Sequence, residues 1–411
     1  MKSILLLLEV RNSISIYDIY MIDGTLFVKL LALVASYTVA LCYKYLSSDI
    51  LEENYLRSFY PFYFVQKLLG SSRVDARDRF VTAPTILQKI YSIICIFTCL
   101  GLYTNVMLYY YKKYLQYSNI NYIIITTICL HYILYTCSVV NARFFNNNEN
   151  IKFCIQMQKL DRKLKIDKSK FINDFMFKVN AVTVIVILLI LVSLYLTALL
   201  TETVVEIGIA GFLFAQLTFS TEWLYCTNIL IYFFIRIRYI NAIIMNHLEG
   251  IPDNKTKLKN KSFPTVKTLR CIASDTHNFE SSDTDIYLKD LFEVLVQYQN
   301  LYRFQVSLYF LFIYYYLYPR LLDLSIIIFI CIRSEAFSRE INNTKYLCVT
   351  VLSRYYGGPL RKKAIKMLKM IKEKPPRISV YDMWYMDAST MINIINLVTT
   401  LMVTLLQFAL L

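Results

Sequence analysis

VNAVTVIVILLILVSLYLTALL, residues 179–200, runs for twenty-two residues without a charged side chain. Wound at ~1.5 Å per residue it reaches ~33 Å, enough to cross the ~30 Å hydrocarbon core of a bilayer. Inside hydrocarbon every backbone N–H and C=O must be bonded within the segment, so the stretch reads as a transmembrane helix. On either side of it lie further apolar stretches, at about 85–108, 120–140, 207–235, 304–318, 321–337 and 388–411. Pro84 suits the first turn of the earliest span, and Pro319 closes the fifth.

The whole composition agrees with that reading. Of 411 residues, 57% are hydrophobic and 18% charged, and the mean hydropathy is +0.45. Soluble domains sit nearer half apolar and a quarter charged. The expected fold is therefore all-α, an integral membrane seven-helix bundle whose first partner is the lipid bilayer.

A net charge of +15 would point to nucleic acid in a soluble chain. Here the basic residues cluster in alternate loops: Lys159 to Lys170 after span two, Lys255 to Arg270 after span four, Arg361 to Arg377 after span six. Cytoplasmic loops carry that bias, so no nucleic-acid partner is expected. The rule places the N-terminus of the core in the cytoplasm and the C-terminus outside; the plasma membrane is the expected location of this multi-pass protein. Residues 1–48 form an N-terminal extension with an extra apolar run at 26–46, and 49–84 a cytoplasmic lead-in to a membrane domain over 85–411. Asn254–Phe263 and Ala273–Asp285 are polar and read as a mobile loop. Asn254, Asn260 and Asn342 open glycosylation acceptor patterns. All three fall on the cytoplasmic side, so none is expected to be used.

Ten cysteines form no CxxC pair, and His131, His247 and His277 are scattered. No nucleophile elbow, zinc-protease helix or phosphate loop occurs. An enzyme, a metal and a cofactor are not expected.

The residues that carry chemistry sit in the membrane. Thr400, Thr404, Gln407 and Leu411 recur at i, i+4, i+7 and i+11 and share a helix face. Such a polar stripe can line a pore, with Phe408 and Leu411 as an apolar constriction that gates by dewetting. Equally, the threonines can bond back to their own helix, and Gln407 can join two helices. In span four Glu222 lies at membrane depth beside Trp223. A buried acid there is either neutral, paired with a neighbouring helix, or turned to a hydrated, ligand-accepting cavity. Tyr195, Phe212, Phe214 and Gln216, in the outer halves of spans three and four, have the chemistry of a small-molecule pocket. Residues 359–374 make a basic amphipathic helix, with Leu360, Ala364, Ile365, Leu368 and Ile371 on one face. It suits either the surface of anionic lipid or a cytoplasmic anchor between subunits.

Thr400-Leu401, five residues, then Gln407-Phe408 resembles the C-terminal signature of insect gustatory receptors, in which a tyrosine stands at the position of Leu401. SFYPFYFVQKLLG at 58–70 resembles the cytoplasmic lead-in of that family, and the aromatic stretch at 378–387 resembles its approach to the last helix. In the latter, Asp382-Met383 replaces a glycine-phenylalanine pair. The resemblance covers about 49–411. It implies a taste receptor acting as a ligand-gated, non-selective cation channel that a small-molecule tastant opens from outside. It also implies four receptor subunits, identical or mixed, with the last helix of each lining the pore and Gln407 belonging to it. An odorant receptor of the same architecture is the nearest alternative. A G-protein-coupled receptor would need the opposite orientation and has no Asn-Pro-x-x-Tyr here; a secondary transporter would bring internal repeats and broken spans.

Overall fold

The computed structural model describes residues 53–77, 80–113, 118–166, 169–201, 206–249, 266–276, 279, 283–315, 321–373, 375, 379–380, 384–385 and 388–410. The apolar run at 26–46 and the acceptor motifs at Asn254 and Asn260 lie outside them. Among the described residues the chain is helical, apart from turns, short connecting segments and two short antiparallel ribbons. In order, the elements are α1 (Glu53–Leu68), β1 (Asp75–Arg77), β2 (Phe80–Thr82), α2 (Ile86–Lys113) and α3 (Ser118–Arg143). Next come α4 (Asn147–Lys163), α5 (Lys170–Thr201), α6 (Glu206–Glu249), α7 (Val266–Thr276) and α8 (Thr284–Tyr315). The last are α9 (Leu321–Arg354), α10 (Gly358–Glu373), β3 (Ser379–Val380), β4 (Trp384–Tyr385) and α11 (Ala388–Leu410).

Among the described residues, four helices are long and apolar enough to cross a membrane: Ile86–Lys112, Ile125–Arg143, Lys170–Leu196 and Ala210–Glu249. They are the first four expected spans. Residues 304–318 fall at the end of α8, 321–337 open α9, and 388–411 coincide with α11.

Helix α6 is the spine, packing against α1, α2, α3, α5, α7, α8 and α9. Its 44 residues make a rod of ~66 Å, twice what the hydrocarbon core requires. The chain accordingly has two kinds of interior. In the first half of the rod, Ala215 packs with Cys99 and Tyr103 of α2 and Ile128, Tyr135 and Val139 of α3. Around it α5 leaves Ile185, Leu189, Val192 and Leu196 exposed, a greasy outer surface that lipid matches. Toward its far end the rod is enclosed by protein, and Phe233, Ile237, Ile240 and Ile244 are fully buried. There the core is strongly aromatic: Phe59 and Phe62 of α1 meet Tyr225, while Tyr298 of α8 meets Phe233 and Tyr302.

One glycine sets a helix spacing. A Cβ on Gly211 of α6 would stand 2.5 Å from Leu102 Cβ of α2, so the two helices approach as closely as they do only because that atom is missing.

Part of the expected mobile loop is ordered. Residues 273–276 complete α7, which seats Leu269 and Ala273 against α6 with no exposure; burial of one face outweighs the polar composition. In α10 the buried face is Leu360, Ala364, Met367 and Ile371, whereas Ile365 is exposed. This helix rests on α8 and α9, so its apolar side is spent on protein rather than on lipid.

Candidate functional site

Helix α11 has no charged residue. At ~100° per residue, Ser389, Asn393, Asn396, Thr400, Thr404 and Gln407 fall within an arc of about 80°, extending ~27 Å along the axis. Asn393, Asn396, Thr400 and Gln407 are exposed and Thr404 is half-buried. Met391, on the opposite side of the helix, packs against the core of the bundle. The polar arc therefore looks away from the chain's own helices. Phe408 lies on α11 but its side chain is outside the described residues, as is Leu411.

Both threonines of the arc bond to their own helix. Thr400 Oγ1 donates to the Asn396 carbonyl and Thr404 Oγ1 to the Thr400 carbonyl, each at 2.8 Å. These bonds satisfy the hydroxyl hydrogens but leave the oxygens on the surface. The sequence reading missed Ser389, Asn393 and Asn396 because it started the stripe at Thr400; continuing the same helical spacing upstream recovers all three.

The expected ligand residues divide among three places. Gln216 of α6 is buried, and its Oε1 lies 3.0 Å from His131 Nε2 of α3; the other ring nitrogen of His131 bonds the Tyr103 hydroxyl of α2. Phe212 covers the histidine with ring centroids 4.5 Å apart, and Phe214 meets Tyr135 edge-on. Three helices thus enclose a hydrogen-bonded, aromatic-walled polar centre within the membrane half. Its histidine gave no signal in the sequence, where a lone His in an apolar run is ordinary.

Glu222 and Trp223 stand apart from that centre. Trp223 is buried against Phe219. The Glu222 carboxylate is fully engaged: Gln66 Nε2 donates at 2.9 Å and Arg73 Nε at 3.0 Å, with Arg73 Nη2 at 2.9 Å. Arg73 also stacks on the Tyr302 ring, 4.5 Å from its centroid. The acid thus pins α1 and the turn after it to α6. Tyr195, near the end of α5, is half-buried and contributes to neither cluster.

Beside Arg73 is a cavity of about 10 Å³ lined by Tyr63, Gln66, Asn150, Cys154, Tyr225 and Tyr302. That is room for a single water and for no organic ligand. Burial pushes the Cys154 thiol up to about 11, which keeps it protonated and unreactive. A second buried ion pair ties α4 to α6, with Arg236 Nη2 2.7 Å from Asp161 Oδ2 and the Tyr232 hydroxyl 2.9 Å from Oδ1. Among the described residues, no group of three His, Cys, Asp or Glu side chains is placed to hold a metal ion. No protein-family model matches the chain, and no curated protein matches it.

Proposed function

We propose that the chain is one subunit of a ligand-gated cation channel of the insect gustatory receptor type. It crosses the plasma membrane seven times, the first four spans being those already described and the others the ends of α8 and α9 and the whole of α11. Basic loops lie inside, and the C-terminal end of α11 lies outside. Several subunits, four by the resemblance, set their α11 helices around a common axis. A small-molecule tastant binds from outside in the membrane half, near Tyr103, His131, Phe212, Phe214 and Gln216. Tighter binding to the open arrangement then shifts the closed–open equilibrium, and the Phe408–Leu411 constriction widens.

One observation carries this reading: the polar arc of α11 faces away from its own bundle. Carboxamides cannot be left toward hydrocarbon without cost. Copies of the same arc around a shared water column satisfy one another's needs.

The test is whole-cell recording, during a tastant screen, from cells without chemoreceptors that express the chain. A ligand-evoked cation current independent of G proteins, with selectivity or leak altered by Gln407→Ala or Phe408→Ala, is the expected result. A response that requires a G protein, or a current indifferent to both substitutions, overturns the proposal.

A further inference from the structure

Within that pore reading, on which this inference rests, we infer that Thr400 and Thr404 give the conduit its preference for cations, by presenting rings of hydroxyl oxygens that can only accept. A free hydroxyl is two-faced, since it can turn its hydrogen toward an anion or its lone pairs toward a cation. In α11 the choice is already made. The hydrogen of Thr400 is committed to the Asn396 carbonyl and that of Thr404 to the Thr400 carbonyl. What remains on the outward side of each is oxygen.

The other polar residues of the arc do not discriminate by themselves. Asn393, Asn396 and Gln407 each carry an amide with donors and acceptors at one end, and swing to suit either sign. The helix adds no charge of its own. The two threonines therefore break a symmetry that the carboxamides leave intact, one helical turn apart in the C-terminal half of the arc. No acid is needed for this, which suits a conduit that distinguishes sign but not one small cation from another.

Thr399 is a built-in control. Its Oγ1 donates to the Ile395 carbonyl at 2.8 Å, the same bond, yet it lies ~100° round the helix from Thr400. Identical chemistry on the wrong face must leave the conduit untouched.

The experiment uses full-length chain in permeabilised membranes and does not depend on knowing a tastant. Cysteine is introduced as Asn396→Cys, and peptide-level mass spectrometry follows its modification by methanethiosulfonate reagents of opposite charge, each rate normalised to that with a free thiol. We expect Asn396→Cys to react while Met391→Cys, on the side packed against the core, does not. The cationic reagent should lead the anionic by about threefold to tenfold, the worth of one ordinary hydrogen-bonding group. Adding Thr400→Val and Thr404→Val together should bring that ratio toward one, and adding Thr399→Val should not. An unreactive Asn396→Cys overturns the pore reading and this inference with it. A reactive cysteine whose charge ratio ignores the valine pair overturns this inference alone.

Discussion

Breaking the Glu222–Arg73 pair is the sharpest test of how the spine is held. Glu222 is 1% exposed and Arg73 5%, and the carboxylate receives nitrogens of Gln66 and Arg73 at 2.9–3.0 Å. Glu222→Gln takes the carboxylate from a guanidinium buried against Tyr302. Loss of one partner from such a pair costs about 3–5 kcal/mol, a shift in the folding equilibrium of more than a hundredfold. Arg73→Met strands the carboxylate instead and belongs in the same range. The double variant Arg73→Met with Glu222→Leu removes both charges. Apolar replacement of a buried pair is close to neutral, while the orphaned Gln66 amide costs about 1–3 kcal/mol. The double variant should therefore be more stable than either single one. The assay is equilibrium unfolding of the purified full-length chain in mixed micelles, read by loss of helical signal. Single variants within about 1 kcal/mol of the parent, or a double variant whose loss is the sum of the singles, would refute a functional ion pair at this position.

Three further outcomes can be checked with the same preparation. Gly211→Ala drives a methyl to 2.5 Å from Leu102 Cβ, costing about 1–3 kcal/mol of overpacking against ~1 kcal/mol of helix propensity regained. By contrast, Gly101→Ala, with nothing within 4 Å of its Cβ, should stabilise by about 0.5–1 kcal/mol; equal shifts for the two would contradict the close α2–α6 approach. Asp161→Asn should destabilise by about 3–5 kcal/mol by stranding Arg236, whereas Tyr232→Phe should cost about 1 kcal/mol; parity between them would mean the ion pair is idle. Cys154 ionises near 9 when unfolded and near 11 when folded. Below pH 9 both states keep the proton, and between these values only the unfolded thiol loses it, so this group's contribution to stability falls as pH rises through the window. Folded protein should resist maleimide at Cys154 at pH 8 and react on unfolding; rapid labelling of the folded chain would contradict the burial.

The first four spans were readable because crossing a membrane is a demand on composition, visible in any window of sufficient length. That Glu222 could not stay a bare charge at membrane depth was readable for the same reason, though not whether a neighbouring helix or a hydrated cavity would take it. The partners themselves were not, since Gln66 and Arg73 lie 156 and 149 residues away and nothing local announces such a pairing. Helix α7 escaped because its eleven residues are polar overall and owe their order to one face seated on α6. His131 escaped because its two bonds come from α2 and α6, so no single helix pattern contains them. Asn393 and Asn396, in contrast, were legible at the spacing already used for Thr400 and Gln407.

The length of α6 makes it a lever. Glu222 fastens it to α1 and the turn beyond about 24 Å from its start, near the edge of the lipid-facing half, and Arg236 fastens it to α4 about 20 Å farther on. A tilt of about 2° about the Glu222 fastening, with α4 carried along through Arg236, becomes about 1.4 Å of travel at Glu249, ~40 Å farther along the rod. Helices α7 and α9 ride on that inner arm, and α9 in turn carries α10 and α11. A slight lean near Gln216 is thus geared, by stiffness alone, to the parts of the chain farthest from it.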